Sequence, residues 1–186
     1  MIRGYTELDA KGWLRCRVLA FLDTQYYDDV KAEPTQFEGD AIRLIASASD
    51  DLAVGVLDIE IDGQAATIDT VAVHPDHRRA HWASRLLEAA EPLLVNRGVT
   101  TLDAWTREDG PANGWYRANG FVEQFRYLHV HKEWNDEAAG FASPPGLSEP
   151  IRAFAHAPIE REAELRAVFP RVYACRQYLR HEPFTG

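Results

Sequence analysis

Residues 71–87 read VAVHPDHRRAHWASRLL and carry the clearest structural signal in the chain. The pattern of a strand comes first, a turn rich in basic residues follows, and apolar residues at helical spacing begin at Trp82. Strand, basic turn and helix start therefore follow one another directly. Backbone N–H groups and the positive end of a helix dipole converge at such a turn, which favours the binding of a pyrophosphate.

The chain around this stretch alternates between strand and helix patterns. Residues 41–48, 54–61 and 66–73 are three runs rich in β-branched residues with turn signals between them, which predicts an antiparallel meander. Residues 99–105 and 121–134 also have strand patterns, and a helix is predicted before each of them. The sequence therefore predicts an α+β fold.

The C-terminal part has a different composition. Residues 135–158 contain four prolines and few apolar residues, which is typical of a linker. Residues 159–168 predict a short helix and residues 172–179 a strand. We therefore expect a domain over residues 1–134 and an extension over residues 135–186. An exposed strand is an aggregation hazard, so we expect this last strand to pair with its own sheet or with a second subunit in a homodimer.

Composition excludes several classes of protein. The chain has 186 residues and carries 29 acidic residues against 20 lysines and arginines, and this net charge of −9 disfavours binding to a nucleic acid backbone. No stretch approaches the ~18 apolar residues of a membrane span, and the first residues show no targeting pattern. The two cysteines, Cys16 and Cys175, are far apart and suggest neither a disulfide framework nor a zinc site. We expect a cytoplasmic protein with no membrane partner.

A second motif, ANGWYRANGF, occupies residues 112–121 and places Tyr116 on a short helix that ends at Gly120. Together with residues 71–87, it resembles the GNAT-type N-acetyltransferase superfamily. The matching residues are Val73, Pro75, Arg78, Ala83, Leu86 and Leu87 in the first motif and Ala112, Trp115, Tyr116, Gly120 and Phe121 in the second. The resemblance covers residues 1–134 and implies a GNAT fold, which has a central mixed, mostly antiparallel sheet, one splayed strand pair and helices on both faces.

The resemblance implies an enzyme that moves an acetyl group from acetyl-coenzyme A directly to a primary amine of a small molecule or peptide. The residues expected to contact the coenzyme are Val71, Ala72, Val73, Arg78, Arg79, Ala80, His81, Trp82, Ala83, Ser84 and Asn113. The motif of the superfamily has a glycine where this chain has His81. A positive φ would strain His81, and its side chain would either crowd the pyrophosphate or, when protonated, contact it.

Two residues are the catalytic candidates. The resemblance implies that Tyr116 assists the departing thiolate, a role that suits a phenol because it is neutral at pH 7. The alternative is a tyrosine that only packs in the core. Asp69 precedes Val73 by four residues, on the strand face of Val71 and Val73 if side chains alternate, and is the candidate base for the amine. Its alternative is a solvated strand residue.

An acidic segment at residues 23–40 carries six acids against one base, Lys31. In the resembled superfamily this region borders the acceptor site, so we expect an acceptor amine with an additional positive charge. The alternative is a solvated loop. The candidate acceptor-binding residues are Tyr26, Tyr27, Asp28 and Asp29.

Other functions remain open at this point. His74, His77 and His81 suggest a metal site, but Arg78 and Arg79 in the same turn would repel a dication, and we expect no metal. A non-catalytic GNAT scaffold that binds acyl-coenzyme A as a sensor or assembly subunit is the alternative function. Acylation of a protein N-terminus or lysine is a third.

Overall fold

The structure is a computed structural model that describes residues 1–48, 52–136 and 140–184. These ranges contain eight strands and four α-helices. In chain order they are β1 (Ile2–Gly4), α1 (Ala10–Leu22), β2 (Asp40–Ser47), β3 (Ala53–Asp62), β4 (Ala65–Val73), α2 (Trp82–Val95), β5 (Thr101–Thr106), α3 (Gly110–Ala118), β6 (Val122–Lys132), β7 (Ala153–Pro158), α4 (Glu162–Val168) and β8 (Arg171–His181). None of the helices in these ranges is long and apolar enough to cross a membrane.

One eight-stranded sheet forms the centre of the fold, in the order β1-β2-β3-β4-β5-β8-β6-β7. The pair β4–β5 is parallel and the other neighbouring pairs are antiparallel. Adjacent residues of β2 serve different cores, because Ile45 packs with Trp13 of α1 while Leu44 packs with Leu86 of α2. The two helices therefore cover opposite faces, and the predicted mixed, mostly antiparallel sheet with helices on both faces is confirmed.

The parallel pair separates along its length. Pairing between β4 and β5 covers residues 65–68 and 101–104, although β4 continues to Val73 and β5 to Thr106. Beyond this point no β4–β5 pair occurs in the described part of the sheet. The two strands diverge toward their carboxyl ends, as expected for the splayed pair, and leave one edge of β4 without a neighbouring strand.

A β-bulge in β4 changes which face its side chains serve. The register against β3 shifts so that Asp69 is the extra residue between Ile68 and Thr70. Ile68 packs in the α2 core and Ala72 packs in the α1 core, although they are four residues apart. Val71 packs on the α2 side. Simple alternation along β4 therefore fails at Asp69.

The last strand lies inside the sheet. β8 pairs with β5 on one side and with β6 on the other, so it completes its own sheet and is not an edge. The predicted division at Trp134 thus does not separate two structural units, because the extension supplies a central strand. The interpretation of residues 135–158 as a linker is wrong for Ala153–Pro158, which forms the edge strand β7. Its ladder with β6 spans six residue pairs, enough to hold this proline-ended segment in the sheet.

Candidate active site

The predicted coenzyme turn joins the open end of β4 to α2. Arg79 and His81 both have positive φ angles, 63° and 56°, and His81 directly precedes α2. No side-chain hydrogen bond caps this helix, and its first backbone bond runs from the Arg85 nitrogen to the His81 oxygen at 3.0 Å. As at any helix start, the preceding N–H groups have no acceptor within the helix, so they can serve a phosphate.

The side chains of the turn differ in whether they contact the rest of the protein. The Arg78 guanidinium donates to the Ala20 carbonyl oxygen at 2.9 Å and lies 4.0 Å from Asp23, so it is directed toward the end of α1. Arg79, Ala80 and His81 are exposed. The predicted phosphate contact by Arg78 would require this side chain to leave α1, whereas Arg79 is accessible as it stands.

The first turn of α2 is tied to α3. The Trp115 indole nitrogen donates to the Ser84 hydroxyl at 3.0 Å, and the Arg85 guanidinium covers the Trp82 ring at 4.2 Å. Ala83 is half-buried beside them. These contacts hold the start of α2 against the helix that carries Tyr116.

The open edge of β4 contains the three residues expected to pair with the coenzyme. Val71, Ala72 and Val73 are in register with β3 on one side. On the β5 side they have no strand partner among the described residues. Their backbone groups on that side are therefore free to hydrogen-bond an extended ligand chain, in the way that a strand adds to a sheet edge.

Tyr116 is buried on α3, with 4% of its surface exposed. Its ring stacks on Tyr178 of β8, with ring centres 5.2 Å apart. Burial raises its pKa well above the ordinary value, and nearby Tyr26 and Asp103 raise it further. The phenol therefore stays protonated near neutral pH and can only donate to a developing negative charge.

The side chain of Asn113, also on α3, forms hydrogen bonds that link α3 to the preceding loop and to β8. Its amide nitrogen donates to the backbone oxygens of Arg107 and Asp109, and its side-chain oxygen accepts from the Tyr178 hydroxyl at 2.8 Å. Both amide protons are thus used within the protein. The predicted coenzyme contact by this side chain is not supported, and the residue instead positions Tyr178 beneath Tyr116.

Asp69 is a weaker base than the sequence suggested. Burial would raise its pKa, but hydrogen bonds from Thr35 and Thr70 and the Lys31 ammonium outweigh that effect and hold the pKa below its ordinary value. The expectation that it shares a face with Val71 is wrong. Asp69 accepts a hydrogen bond from the Thr70 hydroxyl, and Asp58, the strand partner of Thr70, accepts one from Trp13 of α1. Asp69 therefore lies on the α1 side of the sheet, whereas Val71 packs on the α2 side.

Asp103 is a carboxylate that the motif analysis did not single out. It lies on β5 opposite Thr67, one residue before the last β4–β5 pair. One of its oxygens accepts from Trp105 at 3.1 Å and from Gln177 at 2.9 Å. The other, Oδ1, is buried and has no hydrogen-bond partner among the described residues. Its signal in the sequence was weak: it is the sole charged residue of the predicted strand 99–105.

The acidic segment is anchored by arginines. The Arg107 guanidinium lies 4.4 Å from the centre of the Tyr26 ring, and its backbone N–H donates to the Tyr26 hydroxyl at 2.8 Å. Arg171 lies 4.7 Å from the centre of the Tyr27 ring. The Tyr173 ring lies between the two guanidiniums, at 5.4 and 5.5 Å. Stacking of this kind fixes the segment on the sheet.

The carboxylates of the segment are paired as well. Asp28 lies 2.8 Å from Arg171, which lowers the pKa of Asp28, and Asp29 lies 2.8 Å from the buried Arg17. Asp69 takes Lys31, the single base of the segment. Asp28 and Asp29 are therefore not free carboxylates, because each is paired with a buried arginine. The expected attraction of a cationic acceptor by these two residues stays a prediction.

One cluster has the composition of a metal site. Ligand atoms of Asp28, His131 and Glu133 lie within 4.8 Å of one another. Arg171 pairs with Asp28 at 2.8 Å and with Glu133 at 2.6 Å, so a guanidinium already neutralises both carboxylates. A dication would have to displace this buried arginine. The charge at the cluster favours the predicted absence of a metal.

The fold and the site define an α+β domain built around a splayed parallel strand pair with a helix start at its mouth. Residues 41–123 match the family described as the acetyltransferase (GNAT) domain. Residues 41–123 are thus assigned to this family, and the resemblance to the GNAT superfamily seen in residues 71–87 and 112–121 is confirmed.

One curated relative matches part of the chain. The chain is 28% identical over 129 residues to a mycothiol acetyltransferase of Clavibacter michiganensis subsp. michiganensis, a match that covers 64% of this chain and 42% of that protein. The chain thus aligns with less than half of this curated relative.

Solved structures share the fold at low identity. The ribosomal-protein-S18-alanine N-acetyltransferase from Escherichia coli superposes with a TM-score of 0.61 at 15% identity, covering 100% of this chain and 96% of that one. The PaiA N-acetyltransferase from Thermoplasma acidophilum, solved in complex with coenzyme A, gives 0.56 at 14% identity over 67% and 90% of the two chains.

Proposed function

We propose that the chain is an N-acetyltransferase that moves an acetyl group from acetyl-coenzyme A to an amine. The observation that carries this proposal is the unpaired edge of β4 at residues 71–73, which ends at a turn with free helix N–H groups. An extended pantetheine arm suits the edge, and a pyrophosphate suits the turn. The relatives support it, since one is named a mycothiol acetyltransferase, another a ribosomal-protein-S18-alanine N-acetyltransferase, and a third was solved in complex with coenzyme A.

Direct transfer fits the residues at the splayed pair. The amine loses a proton, its lone pair attacks the thioester carbonyl carbon, a C–N bond forms and the C–S bond breaks. We assign the proton to Asp103, whose Oδ1 is an unused acceptor, in preference to Asp69, whose oxygens are taken. Tyr116 donates a hydrogen bond to the departing thiolate, which leaves as the thiol after it takes up the second proton that the attacking nitrogen releases.

The cysteines argue against an acyl-enzyme route. Burial raises the pKa of Cys16 to about 12 and also raises the pKa of Cys175. Neither forms much thiolate near neutral pH, and a thiol is a poor nucleophile for the acetyl group. A single complex of coenzyme, acceptor and protein is therefore expected, with no covalent intermediate.

Two measurements test the proposal. Calorimetric titration should show that acetyl-coenzyme A binds. Arg79→Ala should bind it more weakly, and this loss of affinity should be larger at low salt than at high salt, because salt screens the attraction between Arg79 and a phosphate. Release of free thiol should then depend on an added amine. Tight binding without thiol release across a broad panel of amines would favour the non-catalytic scaffold. The absence of coenzyme binding would contradict both functions. The homodimer and the cytoplasmic location stay predictions.

A further inference from the structure

A polar cavity of about 460 Å³ opens past the end of β5. It lies between the segment at residues 27–29, the end of β6 and the start of β7. Because β8 is antiparallel to β5 and β6 is antiparallel to β8, this end of β6 is also the end where β4 and β5 splay apart. The residues that line it are Tyr27, Asp28, Asp29, Arg107, His131, Lys132, Glu133, Arg152, Ala153 and Phe154.

The charges at the cavity are unbalanced in favour of cations. Three of its lining residues are carboxylates, and these pair with Arg171 and Arg17 behind the wall. Three lining residues are cations, so the lining itself is balanced, and Arg171 and Arg17 behind it bring the local count to five positive groups and three negative ones. This surplus of two is local, because the chain as a whole has a net charge of −9.

The cations of the wall are incompletely compensated. Lys132 is 4% exposed, and among the described residues its ammonium donates only to the Glu133 backbone oxygen, at 3.2 Å. Arg107 is 7% exposed and lies 3.7 Å from Asp28, which Arg171 already holds. Arg152 lies 3.3 Å from Glu133 and is open to solvent. A buried charge without its own counter-ion is costly, so an anion that enters here would be stabilised.

His131 supplies an independent indication of a ligand. It lines the cavity at 7% exposure, and its Nε2 atom has no hydrogen-bond partner in the described ranges. Burial and the positive charges of Arg171 and Arg107 lower its pKa to about 4, so the ring is neutral near pH 7. A buried ring nitrogen without a partner costs free energy unless a bound molecule meets it.

The cavity is connected to the proposed site of transfer. Arg107 directly follows β5, and its backbone N–H donates to the hydroxyl of Tyr26, which is close enough to Tyr116 to raise the pKa of that phenol. Four residues separate Arg107 from Asp103, roughly 13 Å of strand. A molecule whose amine lies at the splayed pair and whose far end lies in the cavity therefore spans several bonds.

We infer that this cavity holds an anionic group of the acceptor, a carboxylate or a phosphate, so that the substrate is an amine with a negative charge several bonds away, such as a short peptide with a free carboxyl end. This inference rests on the proposed function. The proposed charge is opposite in sign to the one that the acidic segment suggested. The reason is that Asp28 and Asp29 are paired with arginines, whereas Lys132 has no carboxylate partner among the described residues.

Matched acceptors test the inference. The tetrapeptide Ala-Gly-Gly-Gly, which extends over roughly 13 Å, its C-terminal amide and an aminoalkyl phosphate of similar length are offered with acetyl-coenzyme A, and thiol release is followed. We expect kcat/KM to be about tenfold higher for the acid or the phosphate than for the amide, the effect of one charge-assisted hydrogen bond. The acid and phosphate arms show which oxyanion is preferred.

Two variants locate the effect. Arg152→Gln should reduce the acid-to-amide ratio severalfold, mainly through KM, and Arg152→Lys should restore part of it. Arg161→Gln is the control, because Arg161 is also an exposed arginine paired with a glutamate but lies away from the cavity. It should leave the ratio unchanged.

The outcomes separate the two claims. Equal kcat/KM for acid, phosphate and amide, or a preference for cationic amines, would overturn the inference and leave the proposed function intact. If no amine is acetylated although coenzyme binds, the proposed function fails. The cavity is then tested by calorimetric titration with the unreactive acid propionyl-Gly-Gly-Gly and its amide. A preference for the acid that Arg152→Gln reduces supports an anion site, and no preference overturns it.

Discussion

Replacement of His81 by glycine tests the backbone strain in the coenzyme turn. His81 has a φ of 56° and a ψ of 22°, the left-handed region, and its exposed side chain makes no capping bond. That conformation costs an L-residue about 1–2 kcal/mol. Glycine avoids the cost but adds about 0.5–1 kcal/mol of chain entropy to the unfolded state. We therefore expect His81→Gly to stabilise the fold by up to about 1 kcal/mol.

The control for this prediction is His81→Ala, which removes the imidazole and keeps the strain. The expected gain for glycine corresponds to a rise in Tm of about 2–4 °C in a protein of this size, while the alanine variant should not rise at all. Urea and thermal unfolding of the three proteins provide the comparison. If glycine and alanine give the same midpoint, or glycine the lower one, the left-handed conformation is not the cost that the geometry implies.

The remaining predictions concern catalysis and pH. Tyr116→Phe should lower kcat by about 10²-fold without changing coenzyme affinity; a loss below twofold would make Tyr116 structural. Asp103→Asn should lower kcat/KM by about 10²-fold or more, while Asp69→Asn should cost far less, and the reverse order would return the base to Asp69. Burial lowers the folded pKa values of His129 and His131 to about 3 and 4, below the ~6.5 of an unfolded histidine, so stability should fall as pH drops from 6.5 toward 4. His131→Gln should flatten this fall in urea midpoints by roughly half, and an unchanged profile would contradict the assignment.

The sequence predicted those parts of the fold that depend on local patterns. The meander, the turn before α2 and the short helix of Tyr116 all have their signals within a few residues. Strand order is different, because nothing near residues 172–179 says that this strand enters between β5 and β6. Tertiary pairing decides it, and the same holds for β7, whose prolines suggested a linker.

The site was predictable to a similar extent. The turn at His81 was expected from the strand, basic turn and helix start of residues 71–87, and the open edge of β4 was expected because the resemblance to the GNAT superfamily implies a splayed strand pair. The bulge at Asp69 could not be predicted from the sequence, because the prediction assumed that side chains alternate strictly between the two faces of a strand. The pairing of Asp28 with Arg171 joins residues far apart in sequence, so a count of charges in one segment could not detect that this carboxylate is paired. Such long-range ion pairs are the reason why we propose an anionic group on the acceptor.

The position of β8 has a consequence for how the protein folds during synthesis. During synthesis β5 and β6 emerge before β8, and each presents a row of unpaired backbone groups on the side where β8 belongs. The two portions of the sheet join only after that strand has left the ribosome, and contacts so distant in sequence form slowly. A nascent chain that stalls before residue 171 would expose two unpaired β-edges that are prone to aggregation. It would also lack Tyr178, which stacks on Tyr116 and donates a hydrogen bond to Asn113. The addition of β8 is thus the step that covers both strand edges and places the Tyr178 ring against Tyr116.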